Sequence, residues 1–261
     1  MFGQFLERIR AFMDFEKEGL DSSMSEVSKY ASGLLLDVGC GDKPYESILG
    51  PGLSGYVGLE YSESYEGSMN EASGAADTLY DGKKIPFPDE SVDTVLCTQV
   101  LEHVPYPGQL MREMARVLRV GGNLIVTAPF SYRLHAEPDD YWRFTWRGLE
   151  HLLQESGLRP ERIESRGGFW KVIGLSINWH LLVKLCRLQR LAQEVGAYGY
   201  LACATERPRY WLLPLVAPLA VLVALTARLL ESLDHDTSMV LGYTAVGVKE
   251  RSQRATIPAA P

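Results

Sequence analysis

The stretch Leu34-Leu35-Leu36-Asp37-Val38-Gly39-Cys40-Gly41-Asp42 constrains the chain most, because an unbroken aliphatic run ends there in an acid and a Gly-x-Gly turn. Aliphatics that can be buried on both faces predict a central strand of a parallel sheet covered by helices. The glycines remove side chains where a turn must let a ligand touch backbone. A second apolar run, Tyr56-Val57-Gly58-Leu59, ends in Glu60, nineteen positions beyond Gly41. A carboxylate at the tip of the neighbouring strand would accept hydrogen bonds from both hydroxyls of a ribose. Together the two features point to a nucleoside-bearing cofactor at the carboxyl edge of the sheet. A dinucleotide is disfavoured, because Pro44 stands where the third glycine would let a helix pack close to a pyrophosphate.

Strand and helix signals alternate beyond this point, which predicts a doubly wound α/β sheet. Strands are expected over Leu34–Val38, Tyr56–Glu60, Ala75–Tyr80, Val92–Thr98 and Asn123–Ala128, with a return to strand over Met239–Lys249. Leu110, Met114, Val117 and Leu118 form one stripe, predicting a helix over Pro105–Arg119 that Gly121-Gly122 stops. Thr145 is positioned to cap a helix running to Ser156, with Gly157 as its end. The first 30 residues read as an amphipathic helix, with Phe2, Phe5, Leu6, Ile9, Phe12 and Met13 on one face. The main domain is expected over 31–168 and 237–250, a helical insertion over 169–236, and a disordered polar tail over 251–261.

With 261 residues, 46% of them apolar, the chain is long enough for one such domain plus an elaboration. Its net charge of -7 supplies no general basic field, so no nucleic-acid partner is expected. A small-molecule or lipid-linked substrate fits better. Cys40, Cys97, Cys186 and Cys203 are scattered without a Cys-x-x-Cys, suggesting neither a zinc ribbon nor a disulfide framework. Glu7, Arg8 and Arg10 break the uncharged core that a secretory signal requires, and a cytoplasmic location is expected.

The motifs, taken in order, resemble those of the class I S-adenosylmethionine-dependent methyltransferases, particularly the group called type 11. Asp37-Val38-Gly39-Cys40-Gly41 is similar to that family's first motif and Gly58-Leu59-Glu60 to its ribose-binding acid. Asp81-Gly82-Lys83-Lys84-Ile85-Pro86-Phe87 resembles the loop that meets adenine, and Cys97–Val104 and Arg116–Gly122 resemble the segments flanking strands four and five. Asp42 departs from the pattern where many members have a third glycine, and Glu60 replaces the commoner Asp. The resemblance implies a Rossmann-like seven-stranded sheet with an antiparallel last strand and S-adenosylmethionine as cofactor. It assigns Asp37 to the methionine end, Gly39 and Gly41 to backbone contact, Glu60 to the ribose, and Asp81 to the adenine amino group, with Asp77 as fallback. Gln99 would offer its carbonyl to the methionine ammonium.

Methyl transfer to a neutral hydroxyl must also remove a proton, and histidine titrates in the right range. No metal is required for the transfer, and none is expected. His103 and His135 fall on connections at the carboxyl edge of the sheet, the second in a loop dense in polar and aromatic residues. His135 is the candidate base, Asp140 the group that orients it or reads substrate, and Arg143 the cation for an anionic substrate group. The same loop has a plainer reading, in which His135 and Arg143 pair with its own acids. Oxygen methylation of a sugar, glycolipid or natural-product-like molecule is preferred, carbon methylation of a lipid quinone or polyketide is the alternative, and a non-catalytic binding or scaffold protein stands outside both.

From Tyr210 to Ala227 no charge interrupts the sequence, while Pro214 and Pro218 are expected to disturb a straight helix. If the flanking strands pair in one sheet, both ends of the insertion lie on one side and a single membrane crossing is excluded. Three uses stay open for 169–236: a cap lining the substrate site, a homodimer interface, or contact with the inner membrane surface.

Overall fold

A computed structural model describes residues 12–62, 76–188 and 207–251. The apolar positions Phe2, Phe5, Leu6 and Ile9, and the tail from 252, lie outside the described residues. Where the sequence predicts a continuous first helix, Asp14 interrupts it: its carboxylate accepts from Lys17 N at 3.0 Å and caps a new helix, α1 (Phe15–Val27).

The sheet holds β1 (Gly33–Val38), β2 (Leu53–Tyr61), β3 (Thr78–Tyr80), β4 (Val92–Thr98), β5 (Leu118–Pro129), β6 (Leu158–Arg166) and β7 (Gly242–Lys249). Its order is β3-β2-β1-β4-β5-β7-β6, and β7 runs antiparallel to both of its neighbours. This is the seven-stranded, mostly parallel sheet that the sequence predicts. Between β1 and β4 the strand order reverses direction, which opens a crevice at their carboxyl ends. The glycine turn leaves β1 at that crevice, so the topology alone places it at a ligand-binding edge.

The two-sided burial of the central strands is explained by alternation. Leu36, Val38, Val95, Cys97, Leu124 and Val126 face the helices α3 (Pro107–Val117) and α4 (Trp146–Glu155), whose Leu110, Met111, Met114, Leu149 and Leu153 are buried against them; the single turn α2 (Glu46–Leu49) precedes these in the chain. Leu35, Leu96, Ile125 and Val246 face the opposite way, onto Leu20, Met24 and Val27 of α1. Each fully buried Leu or Met contributes about 1.5–3 kcal/mol.

Three boundaries differ from the sequence expectation for identifiable reasons. The helix before β5 ends at Val117, because Leu118 pairs with Val92 and joins the sheet; Gly121, at φ +85°, then lies inside β5. β6 has no apolar run to announce it, since it is an edge strand carrying Arg159, Glu161, Arg162 and Glu164. The insertion forms α5 (Phe169–Trp179) and α6 (Leu213–Leu233), and α6 runs straight through Pro218. That proline sits on the exposed face, where water can satisfy the carbonyl one turn back.

Ala220, Ala224 and Ala227 of α6 pack with Val172 of α5 and Phe15 of α1, so the insertion is joined to the helix that covers the sheet. Around this contact, Glu18 pairs with Arg228 and Lys171, and Arg228 Nη2 donates to Phe12 O at 2.7 Å.

Candidate active site

At the end of β1 the backbone doubles back through two left-handed glycines, Gly39 at φ +73° and Gly41 at φ +48°. Gly39 N and Cys40 N donate to Leu59 O at 2.8 and 3.2 Å, fastening the turn to β2. A Cβ on Gly39 would lie 2.3 Å from Val100 Cγ2, whereas one on Gly41 would meet nothing within 4 Å. One glycine therefore permits close packing, and the other borders open space. Glu60, next to last in β2, folds its carboxylate over the turn, accepting from Gly41 N and Tyr61 N at 3.0 Å each.

Asp37 is buried in β1, where Oδ2 accepts from Tyr56 Oη at 2.6 Å and Oδ1 has no partner among the described residues. Burial pushes its carboxyl up to about 7, against the Tyr56 hydrogen bond, which pulls it down. Asp81 lies fully exposed just past β3, and hydrogen bonds from Lys83 N and Lys84 N hold its carboxyl below the usual range. Asp77 has another occupation: it accepts from Lys43 Nζ and Gly58 N, at 2.6 and 2.7 Å.

These residues fit S-adenosylmethionine. The unpartnered Asp37 Oδ1 is an acceptor for a cationic amino group, the space beside Gly41 admits a ligand to the backbone, and Glu60 and Asp81 stand at the tips of successive strands. Gln99, just beyond β4, takes the left-handed conformation at φ +53° and its N–H donates to Thr127 O at 3.2 Å. Its side-chain amide lies between Arg166 and Glu102, and the orientation that satisfies both has its oxygen accepting from Arg166 Nη2 at 2.7 Å and its nitrogen donating to Glu102 Oε1 at 3.0 Å. Arg166 is itself buried and paired with Glu16 of α1.

The second half of the site is assembled by backbone hydrogen bonds between distant segments. Tyr141 N and Trp142 N donate to Glu102 O at 2.8 and 3.2 Å, and Trp142 Nε1 donates to Val104 O at 3.0 Å. This pins the loop after β5 onto the turn after β4 and brings the rings of His103 and His135 to 4.7 Å. Asp140 and Arg143 are each other's partners, with Nη1 and Nη2 on the two carboxylate oxygens at 2.6 and 2.8 Å. Burial opposes the Asp140 charge, but Arg143 and the His135 amide outweigh it and hold the carboxyl at about 2. Arg143 also donates to the carbonyls of Tyr132 and Arg133, so the pair fastens the loop on itself.

Three residues that sequence reasoning did not single out belong here. Glu102 is fully buried and burial pushes its carboxyl up to about 8; an acid between Leu101 and Val104 in a core-facing segment was its available signal. Arg133 lies between the rings of Tyr132 and Trp179, 4.4 and 3.6 Å from their centroids. Trp179 ends α5, so the insertion reaches the same loop. Nothing in the local pattern ties either residue to the site, because the link is tertiary.

The comparisons agree with this geometry. The family described as Methyltransferase domain matches residues 36–126, from the middle of β1 into β5. An uncharacterized methyltransferase from Mycobacterium marinum is 38% identical over 37% of this chain and 39% of its own length, so the chain spans about two fifths of the curated relatives it matches first. A 27-O-demethylrifamycin SV methyltransferase from Amycolatopsis mediterranei is 26% identical over 59% of this chain and 66% of its own. In fold, the chain is similar to the [4+2]-cyclase SpnF at a TM-score of 0.51, with 19% identity, 88% of this chain and 80% of that one covered. It is also similar to the Haloferax volcanii complex of a putative methyltransferase with its Trm112 activator, at 0.51 and 14% identity over 96% of each chain. Residues 36–126 are thus similar to a methyltransferase domain, set in a Rossmann-like sheet whose glycine cradle fits S-adenosylmethionine.

Proposed function

We propose that this protein methylates a hydroxyl of a small or lipid-linked acceptor, with S-adenosylmethionine as donor. The observation that carries the reading is the juxtaposition of Glu102, His103 and His135 next to Gln99, where the cofactor cradle meets the substrate loop. When bound, the cofactor supplies a methyl group on a sulfonium. An acceptor oxygen displaces the sulfur in line, and dry, aligned surroundings supply much of the acceleration. Burial and the neighbouring His103 push His135 down to about 4, so its imidazole is neutral across the physiological range. Its lone pair and that of His103 are the groups against which the acceptor hydroxyl loses its proton. Asp140 and Arg143 hold His135 in place. Arg133, cationic and stacked on Trp179, is the reader of an electron-rich or anionic acceptor group. The similarity to a rifamycin O-methyltransferase supports an oxygen acceptor of natural-product type.

A lipid-linked acceptor draws support from α6. Leu215, Leu222, Leu229 and Leu233 are exposed along it, with Trp211 77% exposed at its start and Arg207 beyond. The span Tyr210–Leu233 is long and apolar enough to cross a membrane, a criterion of length and composition alone. The insertion that contains it leaves β6 and returns to the neighbouring β7, so contact along a bilayer surface suits it better than a single crossing. The test is incubation with an isotopically labelled methyl donor and fractionated lipid and glycan extracts, with the labelled atom located by mass spectrometry. A labelled O-methyl product supports the reading, a labelled C-methyl product replaces it with carbon methylation, and failure to bind cofactor in calorimetry returns a scaffold.

A further inference from the structure

Glu102, His103 and His135 present one ligand atom each, all within 4.8 Å of one another. His135 Nε2 lies 4.0 Å and His103 Nε2 lies 3.9 Å from the same Glu102 Oε1. These separations are too long for hydrogen bonds, so the groups do not satisfy one another.

The other side of each ring decides what faces inward. His103 Nδ1 lies 2.5 Å from Asp139 O, an acceptor, so Nδ1 carries the proton and Nε2 the lone pair. His135 Nδ1 lies 3.3 Å from both Arg133 O and Asp140 Oδ2, with the donor Arg143 Nη2 farther off at 3.5 Å. The two nearer acceptors fix the proton on Nδ1 here also. Two imidazole nitrogens and a carboxyl oxygen thus converge on one space. Glu102 is fully buried, its Oε2 has no partner among the described residues, and its Oε1 faces the Gln99 amide.

This is the outer arrangement of a protein metal site, where histidines donate their far N–H to carbonyls or carboxylates and the ligating carboxylate is itself hydrogen-bonded. Around a tetrahedral ion with bonds near 2.0–2.2 Å, ligand atoms stand about 3.4 Å apart, so closing the set shortens separations that now reach up to 4.8 Å by about half an ångström to about 1.4 Å. His103 is partly exposed, which leaves one side open for a further ligand. Asp140 neutralises Arg143, the nearest cation to His135.

We propose that Glu102, His103 and His135 bind a divalent transition-metal ion of the zinc class, with an open position toward the substrate pocket. Two histidines and one carboxylate with an open position is a donor set that such ions accept. Coordination of an acceptor hydroxyl there would ease loss of its proton, and this use of the ion rests on the methyl-transfer reading. The binding site itself does not.

The experiment therefore reads binding without cofactor or acceptor. Full-length protein, stripped with chelator, is titrated with Zn²⁺ by calorimetry and with Co²⁺ by visible absorption. One ion per chain is expected, together with the absorption of Co²⁺ in a protein site. Glu102→Gln, His103→Ala and His135→Ala should each weaken Zn²⁺ by about tenfold or more, while S-adenosylhomocysteine affinity, measured in parallel, certifies that each variant is folded. His151→Ala, His180→Ala and His235→Ala should leave Zn²⁺ binding unchanged. Absence of saturable binding, or binding that follows the second group of histidines, overturns the proposal. If the parent protein binds Zn²⁺ but not S-adenosylhomocysteine, the methyl-transfer reading fails and the metal site stands; circular dichroism then replaces nucleoside affinity as the folding check.

Discussion

The guanidinium of Arg133 stacks on the indole of Trp179 at 3.6 Å, tying the end of α5 to the loop that carries His135. Its Nε and Nη2 have no hydrogen-bond partner among the described residues, and burial lowers its pKa from the ordinary arginine value. A desolvated cation–π contact of this kind is worth about 2 kcal/mol. Arg133→Ala should therefore raise the acceptor KM by about tenfold or more, with cofactor affinity unchanged. Steady-state kinetics with calorimetry of cofactor binding checks it, and an equal loss in both would mean that the arginine only supports the fold.

Glu60, the residue expected to hold the ribose, also serves the glycine turn, since its two oxygens accept from Gly41 N and Tyr61 N. Glu60→Ala should weaken cofactor binding by at least about 1.5 kcal/mol through loss of charge-assisted hydrogen bonds. Glu60→Gln, which keeps an acceptor but not the charge, should fall between. Unchanged affinity by calorimetry removes the assignment.

Asp37 makes cofactor binding depend on pH. Its carboxyl titrates at about 7 in the free protein, and a cationic amino group beside it favours the ionised form. Affinity should rise as pH increases through that value, and Asp37→Asn should flatten the curve. The effect on stability has the opposite direction: the folded state binds more protons than the unfolded between an ordinary aspartate value and about 7. This contribution is complete below the unfolded value and is lost as pH rises through 7. Chemical denaturation of parent and Asp37→Asn at pH 5 and 8 measures it.

For His135 the sign reverses. Its pKa falls to about 4 in the fold, so the stability it contributes is present above the unfolded histidine value and lost as pH falls through 4. Its imidazole NMR shift should stay flat from pH 5 to 8, and a titration near the ordinary histidine value would contradict the burial argument. His135→Ala should lower turnover while sparing cofactor affinity; full turnover in that variant would free His135 of any part in the reaction.

The sheet and the cradle were legible because their causes are local. Leu34–Val38 is apolar on both faces, Gly39 and Gly41 are needed at positive φ, and Glu60 is next to last in a strand that pairs with the first. β6 escaped because an edge strand needs no apolar face on its polar side. Tyr56 as the partner of Asp37, and Glu102 between two histidines, arise from register and from hydrogen bonds across 19 positions, as with Tyr56 and Asp37, or 36, as with His103 and Asp139. Periodicity carries no record of such pairings. The Asp140–Arg143 pair was visible as residues, but which of them would face substrate and which each other was decided by the loop's path over Glu102.

The insertion leaves and rejoins the sheet at one spot: Leu241 N donates to Arg166 O at 3.0 Å, and Phe169 N to Asp236 O at 3.2 Å. Such adjacency makes the segment a detachable cassette. Related enzymes could trade it for a longer, shorter or more polar piece without disturbing strand pairing, and acquire new acceptors while the methyl-donor half stays constant.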